Sequence, residues 1–441
     1  MLNRSAYPLS LRRMNVPFAV AASVVALSLT ACAPREEPAN PDGTWTGTIT
    51  TEGDVTTVVN ESASVWGGEA QLVEEMSIGV DVGADEYMFG WIRNIYVTDE
   101  NIYLTDSQEP AVRVYDLDGQ FIGNIGSGPG QGPGEYERPT LVNGTADGTI
   151  FVYDNSLRRL TAYGPAGETI DTWTVDDESC CAWRMSVSPD GTLWMPVEQP
   201  AFASPTGETR YGAQAFTVAD GPVGDIRWRP ELDFPKLTID VGSFPRSVPF
   251  SPAYEWTLSA DGGVTIGSSD RYRIEVHRID GTILVTERPD DLVPVHPDEA
   301  EWRRRWTIQN MRNSIDPEFD ASMDIPNHKP AYIGFAPDAY GGTWVWRTGP
   351  SRHLGGDCVD DPFTTDPATS RDNSCWVSDR FFDVFYPDGR YLGWVKQPDG
   401  LGRWNAQLNL FPMGDIVYAI IETAEGVPTV KRYRVVPPGE E

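Results

Sequence analysis

Between about residue 64 and residue 436 the chain alternates apolar and polar residues in short runs, and each run closes on a turn signal. A period of two with turns between predicts half-buried β-strands, and long helical patterns are nearly absent. The runs also come in groups. IYVTDENIYLTDSQEPAVRVYDLDGQFIGNIG (95–126) has an apolar strand, a turn, a strand ending near Asp, a strand of alternating Arg, Tyr and Val, a second turn and a short final strand. The same order recurs in LVNGTADGTIFVYDNSLRRLTAYGPAGETIDTWTV (141–175) and WTLSADGGVTIGSSDRYRIEVHRIDGTILVTERP (256–289). It recurs with a longer excursion in MSVSPDGTLWMPVEQ (185–199) continued by AFTVADGPVGDIRW (215–228). YIGFAPDAYGGTWVWRT (332–348) resumes at FFDVFYPDGRYLGWVKQ (381–397), and LNLFPMGDIVYAIIETAEGVPTVKRYRVV (408–436) is the sixth group.

Turn spacing supports the repeat. Asp147-Gly148 and Ala166-Gly167 lie 19 residues apart, as do Asp261-Gly262 and Asp280-Gly281, and Glu100-Asn101 and Asp118-Gly119 lie 18 apart. Paired turns at a fixed interval make a four-stranded antiparallel meander. Repetition of such a unit every few tens of residues points to the blades of a propeller, whereas the strands of a β-sandwich keep no fixed period. The reading is therefore all-β: a six-bladed β-propeller of four-stranded antiparallel blades. The sixth unit lacks an outermost strand. SVWGGEAQLVEEMSIGVDVG (64–83) carries the right alternation to supply it, so the ring is expected to be closed by an N-terminal strand. Closure also hides sheet edges that would otherwise be exposed.

Two insertions interrupt the repeat. Residues 295–317, VHPDEAEWRRRWTIQNMRNSIDP, predict one inserted helix, with Pro297 at its first position, acids in its first turn and Asp316-Pro317 as its stop. Trp302 and Trp306 fall on one face, as expected of a helix packed on the ring. The second insertion, roughly 349–380, is long for a structureless loop and is read as functional or stapled.

The N-terminus reads as a targeting segment. Arg4, Arg12 and Arg13 precede the apolar run Phe18 to Leu29, which is short for a membrane span. The run ends in Leu29-Thr30-Ala31-Cys32, which resembles the lipobox of bacterial lipoproteins; the alternative is an ordinary secretory signal cut near the same place. The resemblance implies acylation of Cys32, a tether and lead-in over 32–63, and a propeller over 64–441. With Ala at position 33, it implies an outer-membrane, cell-envelope location, periplasmic or surface facing.

Composition narrows the partners. The 441 residues carry a net charge of −31; removal of 1–31 takes three arginines and no acid, which leaves −34. Such a surface repels nucleic acid, and none is expected as a partner. The 36 prolines, 42 glycines, 15 Trp, 17 Tyr and 16 Phe suit an all-β chain rich in turns. Four cysteines remain beyond Cys32: Cys180, Cys181, Cys358 and Cys375. An exported chain can oxidise them. Cys358–Cys375 closes a short loop and is the favoured pair, which leaves the adjacent Cys180 and Cys181 for a strained bridge or free thiols. Zinc is disfavoured, since no Cys-x-x-Cys and only four histidines occur.

The stretch GSGPGQGPGEYERP (126–139) invites a phosphate-loop reading and does not sustain it. Its glycines fall at 126, 128, 130, 132 and 134, no Gly-Lys-Ser/Thr is present, and Pro129 and Pro133 lack the N–H that would cradle a phosphate. It resembles instead the Gly-x-Gly-x-Gly-Pro-Gly-Glu-aromatic…Pro linker of bacterial six-bladed β-propellers of the NHL-repeat-like and TolB-like class. That resemblance spans about 64–436 and rests also on the Asp-Gly turns and on strand endings such as YLTDS (103–107) and FVYDN (151–155). It implies ligand binding at the channel mouth, where inner strands begin. Arg93, Arg138, Arg184, Lys329 and Arg403 lie there in sequence, with Glu255 in the fourth unit, and a basic rim in so acidic a chain would hold an acidic ligand through arginine forks. The expected function is a ligand-binding or protein-interaction module, monomeric and held to the membrane by its N-terminal lipid, with a small molecule or a protein as partner. The alternative is a metal-dependent hydrolase or lyase of the gluconolactonase-like or NHL type. No cofactor is expected for the module, and calcium is the candidate ion for the enzyme. No metal ligands and no catalytic residues can be named from spacing, because a triad is recognised by geometry.

Overall fold

The computed structural model describes residues 45–175, 183–199, 209–241, 244–289, 292–355, 365–366, 371–372, 375–402 and 406–439. Its first elements are strands β1 (Gly47–Glu52), β2 (Val55–Asn60) and β3 (Glu69–Ile78). Six sheets follow. The first blade is β4 (Ile92–Val97), β5 (Asn101–Asp106), β6 (Glu109–Asp116) and β7 (Phe121–Ile125). The second is β8 (Pro139–Gly144), β9 (Ile150–Asp154), β10 (Arg159–Tyr163) and β11 (Thr169–Thr174). The third is β12 (Ser186–Val187), β13 (Leu193–Gln199), β14 (Arg210–Thr217) and β15 (Gly221–Trp228). The fourth is β16 (Tyr254–Leu258), β17 (Val264–Ser268), β18 (Arg273–His277) and β19 (Ile283–Glu287). After helix α1 (Pro297–Ser314), the fifth is β20 (Gly334–Pro337), β21 (Thr343–His353), β22 (Trp376–Phe385) and β23 (Tyr391–Lys396). The sixth has three strands of its own, β24 (Leu410–Met413), β25 (Ile416–Glu422) and β26 (Pro428–Val436).

The missing strand comes from the other end of the chain. β3 pairs antiparallel with β26, from Gln71 opposite Val436 to Ile78 opposite Val430. It also touches the fifth blade, where Trp394 and Val395 pair in parallel with Glu69 and Ala70. The ring is thus fastened as the alternation over 64–83 predicts.

The lead-in departs from its sequence reading. Residues 47–60, expected as tether and lead-in, form the β1–β2 hairpin, and β2 runs parallel to β19 from Val55 opposite Ile283 to Val59 opposite Glu287. Two features hold it there. Trp45 and Val58 are buried in the apolar cluster between the fourth and fifth blades, with Tyr272, Phe335 and Tyr391. Asn60 is fully buried and joins three backbones: its Oδ1 accepts from Trp45 Nε1 and Tyr391 N at 2.7 Å each, and its Nδ2 donates to Glu287 O at 3.2 Å and Gly389 O at 3.1 Å. The β-branched run Val55–Val59 suits a strand, and its adjacent threonines break the alternation that marks a buried face; only Val58 and Asn60 turn fully inward.

The recurrent aspartates explain how blades are joined. Asp106, at the end of β5, accepts from Gly90 N at 2.7 Å and Trp91 N at 2.9 Å. Asp154, at the end of β9, accepts from Glu137 N and Arg138 N at 2.8 Å each. Each carboxylate therefore accepts from two N–H groups of the linker that leads into its own blade and fixes the entry of the chain there. Near the axis, Asn94 Oδ1 accepts from Val142 N at 2.9 Å, Asn143 Nδ2 donates to Met185 O at 3.0 Å, and Ser186 Oγ donates to Ser259 O at 2.5 Å, so side chains link the first four blades in sequence. In the glycine-rich linker, Gly128–Pro129 pairs with Glu135–Tyr136, and the Tyr136 hydroxyl meets that of Tyr163 at 2.5 Å. A Cβ on Gly126 would lie 2.5 Å from the Tyr136 ring, and the φ of +106° is one that glycine adopts without strain.

Helix α1 is capped by His296, whose ring accepts from Asp298 N at 3.2 Å. Trp302 is buried and stacks on Trp306 at 6.5 Å, as a packed face requires.

Candidate functional site

Between the fourth and fifth blades three charged side chains meet in a largely apolar wall. Asp383, in the middle of β22, is 1% exposed. Its Oδ2 accepts from Arg288 at 2.7 Å, Arg347 at 2.8 Å and the Tyr272 hydroxyl at 2.7 Å; its Oδ1 accepts from the Tyr391 hydroxyl at 3.1 Å. Arg288 follows β19, where its N–H bonds to Tyr272 O, and Arg347 lies in β21. Their guanidinium groups lie over aromatic rings, Arg288 over Tyr391 at 3.8 Å and Arg347 over Phe381 at 4.6 Å.

Arg288, Arg347, Phe381, Asp383 and Tyr391 line a cavity of about 600 Å³, together with Ser62, Ala63, Ser64, Gly67, Gly68 and Trp394. The segment between β2 and β3 makes one wall, fixed by Val65 N donating to Tyr391 O at 3.0 Å and Trp66 N donating to Leu392 O at 2.7 Å. Gly393 permits the close approach: a Cβ there would lie 2.4 Å from Gly68 O.

The electrostatics leave a surplus. Two guanidinium ions face one carboxylate, so the site carries one net positive charge in a chain whose total is −31. Burial lowers the Arg288 pKa, and the charge of Asp383 more than reverses this, so that it sits above its ordinary value. Burial and then the Asp383 charge raise both Tyr272 and Tyr391, which keeps the two phenols protonated as donors at neutral pH. Arg288 Nε is buried and has no hydrogen-bond partner among the described residues. A cationic cavity with fixed forks suits an oxyanion, which a planar guanidinium binds through two parallel N–H groups.

Arg93, Arg138, Arg184 and Lys329, expected at the channel mouth, fall in different surroundings. Arg93 lies over the exposed ring of Trp91 at 4.3 Å. Burial and the neighbouring charge of Arg138 lower its pKa, so these two do come near each other. Arg184 is buried, and donates to Gln407 O at 2.8 Å, with its guanidinium over Phe411 at 5.5 Å. The third and sixth blades are opposite in a six-membered ring, so this side chain crosses the axis. Burial lowers its pKa to about 10, and it stays charged at neutral pH. Lys329 is 3% exposed and donates to Gly349 O at 3.0 Å and to Ser351 Oγ and Ser378 Oγ at 2.7 Å each, while Ser351 Oγ donates to Glu299 of α1 at 2.7 Å. It clasps the helix to the fifth blade. Arg403 lies outside the described residues, as do Cys32, Cys180, Cys181 and Cys358; Cys375 is buried and engaged in a disulfide. Among the described residues no cluster of His, Cys, Asp and Glu is arranged to hold a metal ion.

Sequence reasoning passed over Arg288, Arg347 and Asp383. The signal was present in FFDVF (381–385), an acid set among four apolar residues of a central strand, and such a residue demands buried partners.

A family model, DUF5128, described as a 6-bladed beta-propeller, matches residues 82–199. No curated protein matches the chain. Among solved structures, a member of the DUF4221 family from Bacteroides vulgatus is 13% identical, with 83% of this chain and 98% of that chain covered and a TM-score of 0.45. Virginiamycin B lyase from Staphylococcus aureus is 11% identical, with coverage of 83% and 100% and a TM-score of 0.37. A gluconolactonase from Xanthomonas campestris is 10% identical, with coverage of 92% and 96% and a TM-score of 0.34. The six blades, their strand order and the matching family description identify the chain as a six-bladed β-propeller closed by its N-terminal strand.

Proposed function

We propose that this chain is a binding module of the cell envelope, carried on a lipid at Cys32, which takes up a small anionic molecule in the cavity between the fourth and fifth blades. The observation that carries the reading is the convergence of Arg288 and Arg347 on the single carboxylate of Asp383 at the wall of that cavity. Asp383 orders both forks and neutralises one of them; the second charge is left for the ligand. At about 600 Å³ the cavity lies within the usual range for small-molecule sites, roughly 300–1,000 Å³. The lipobox-like Leu29-Thr30-Ala31-Cys32 supports the anchoring, and Ala33 supports the outer membrane.

Isothermal titration of the mature chain with benzoate, succinate and inorganic phosphate tests the binding. Saturable binding of at least one is expected, weakened by roughly ten- to a hundredfold in Arg347→Met, the range for losing a charge-assisted hydrogen bond. No binding of any of the three, or binding untouched by Arg347→Met, overturns the reading. Labelling of cells with an alkynyl palmitate tests the anchor: the wild type incorporates label and Cys32→Ser does not.

A further inference from the structure

A second cavity, of about 250 Å³, lies at the third blade and is lined by Thr209, Arg210, Tyr211, Trp228, Arg229 and Glu231. Its two arginines are unlike others of this molecule. Arg113, Arg273, Arg288, Arg347, Arg390, Arg432 and Arg434 each meet a carboxylate. Arg210 and Arg229 have no ion pair or side-chain hydrogen bond among the described residues, and they are held by rings instead. Arg210 lies over Trp228 at 4.0 Å; Arg229 lies over Tyr254 at 3.8 Å, Tyr211 at 4.6 Å and Trp256 at 5.7 Å. Stacking fixes the plane of a guanidinium and leaves its N–H edge free. Burial lowers the pKa of Arg229, although the nearby Tyr254, Tyr211, Glu231 and Glu255 act in the other direction.

In a chain with 65 acids and 34 bases, two guanidinium groups on the wall of one cavity, neither with a hydrogen-bonded acid among the described residues, form a prepared place for an anion. Glu231 shares that wall and adds an acceptor of opposite charge. We propose that this cavity binds a small carboxylate that bears an adjacent donor, an α-amino or α-hydroxy acid: the carboxylate lies on the edges of Arg210 and Arg229, and the ammonium or hydroxyl donates to Glu231. The volume falls below the usual span for drug-sized ligands, about 300–1,000 Å³, which limits the ligand to that size. The site uses other residues and another blade boundary than the cavity at Asp383, and stands independently of it.

The experiment is a calorimetric titration of the mature chain carrying Arg347→Met, so that binding in the cavity at Asp383 is weakened, with glycine, glycolate, acetate and inorganic phosphate. Glycine or glycolate is expected to bind more tightly than acetate. Arg229→Lys keeps the charge and loses the fork, and is expected to weaken that binding roughly ten- to a hundredfold. Glu231→Gln is expected to remove the advantage over acetate and leave acetate itself unchanged. Thermal unfolding of each variant at the parental temperature excludes misfolding as the cause. Equal affinity for acetate and glycolate, phosphate as the only ligand bound, or binding that survives both substitutions overturns the proposal.

Discussion

Asn60 sits where the N-terminal segment, the end of the fourth blade and the start of the last strand of the fifth come together, and every polar atom of its amide is used. Replacing it with alanine strands Trp45 Nε1 and Tyr391 N–H inside the molecule. At about 1–3 kcal/mol for each buried group left unpaired, Asn60→Ala is expected to cost roughly 2–6 kcal/mol, read as a lowered midpoint in urea with an unchanged slope. Glu255 makes a prediction in pH. Burial, opposed by Arg229, raises its pKa from 4.5 to about 7. The folded state then holds a proton that the unfolded state has lost, so this group's contribution is complete below pH 4.5, declines as the pH climbs, and is gone above about 7. The span corresponds to roughly 3 kcal/mol as an upper bound. Glu255→Gln is expected to flatten the stability profile between those limits; an unaltered slope would contradict the assignment. Little of this was legible beforehand. Glu255 was noted by its place at the head of an inner strand, yet its titration depends on neighbours drawn from other strands. Asp106 and Asp154 were visible as strand endings, but the backbone N–H groups they satisfy belong to linkers more than a dozen residues away.

The strands that close the molecule invite truncation. A chain that begins at residue 61 lacks the β1–β2 hairpin and keeps β3; one that begins at residue 79 lacks both. The first loses Trp45, Val58 and Asn60 from the seam between the fourth and fifth blades and is expected to fold with reduced stability. The second leaves β26 as a bare edge and is expected to aggregate or to unfold without a cooperative transition. Size-exclusion chromatography and circular dichroism distinguish the two, and a monomeric, cooperative chain from residue 79 would refute the role given to β3. The alternation in 69–78 could be read in advance because one face of β3 must be apolar. The hairpin could not: its strands carry threonine on both faces and bury only a few side chains, so its burial pattern is weak. Helix α1 was legible in full, since a proline at its first turn, acids behind it and tryptophans one turn apart are local signals. The clasp beneath it, Lys329 with Ser351, Ser378 and Glu299, gathers residues from four separate segments and has no local signature.

Six similar blades around an axis make a closed ring, and the ring decides where chemistry can gather. The repeat of turns revealed the fold because each blade must solve the same packing problem with the same spacing. The candidate sites were hidden for the complementary reason. They lie at seams between blades, where Arg288, Arg347 and Asp383, far apart in sequence, are brought within hydrogen-bonding distance of one oxygen atom. Of the basic residues that strand order places at the channel mouth, Arg184 spans the channel and Lys329 is enclosed, and both are taken up by acceptors within the ring. Crystals soaked in para-bromobenzoate, with anomalous scattering recorded at the bromine edge, put that placement to its most direct trial. A bromine peak inside the cavity between the fourth and fifth blades, with the carboxylate in hydrogen-bonding reach of Arg288 or Arg347 and no such peak in Arg347→Met, is the expected result. An empty cavity beside a bromine peak elsewhere on the ring, or a peak that persists in Arg347→Met, would show that the paired arginines only brace the blades.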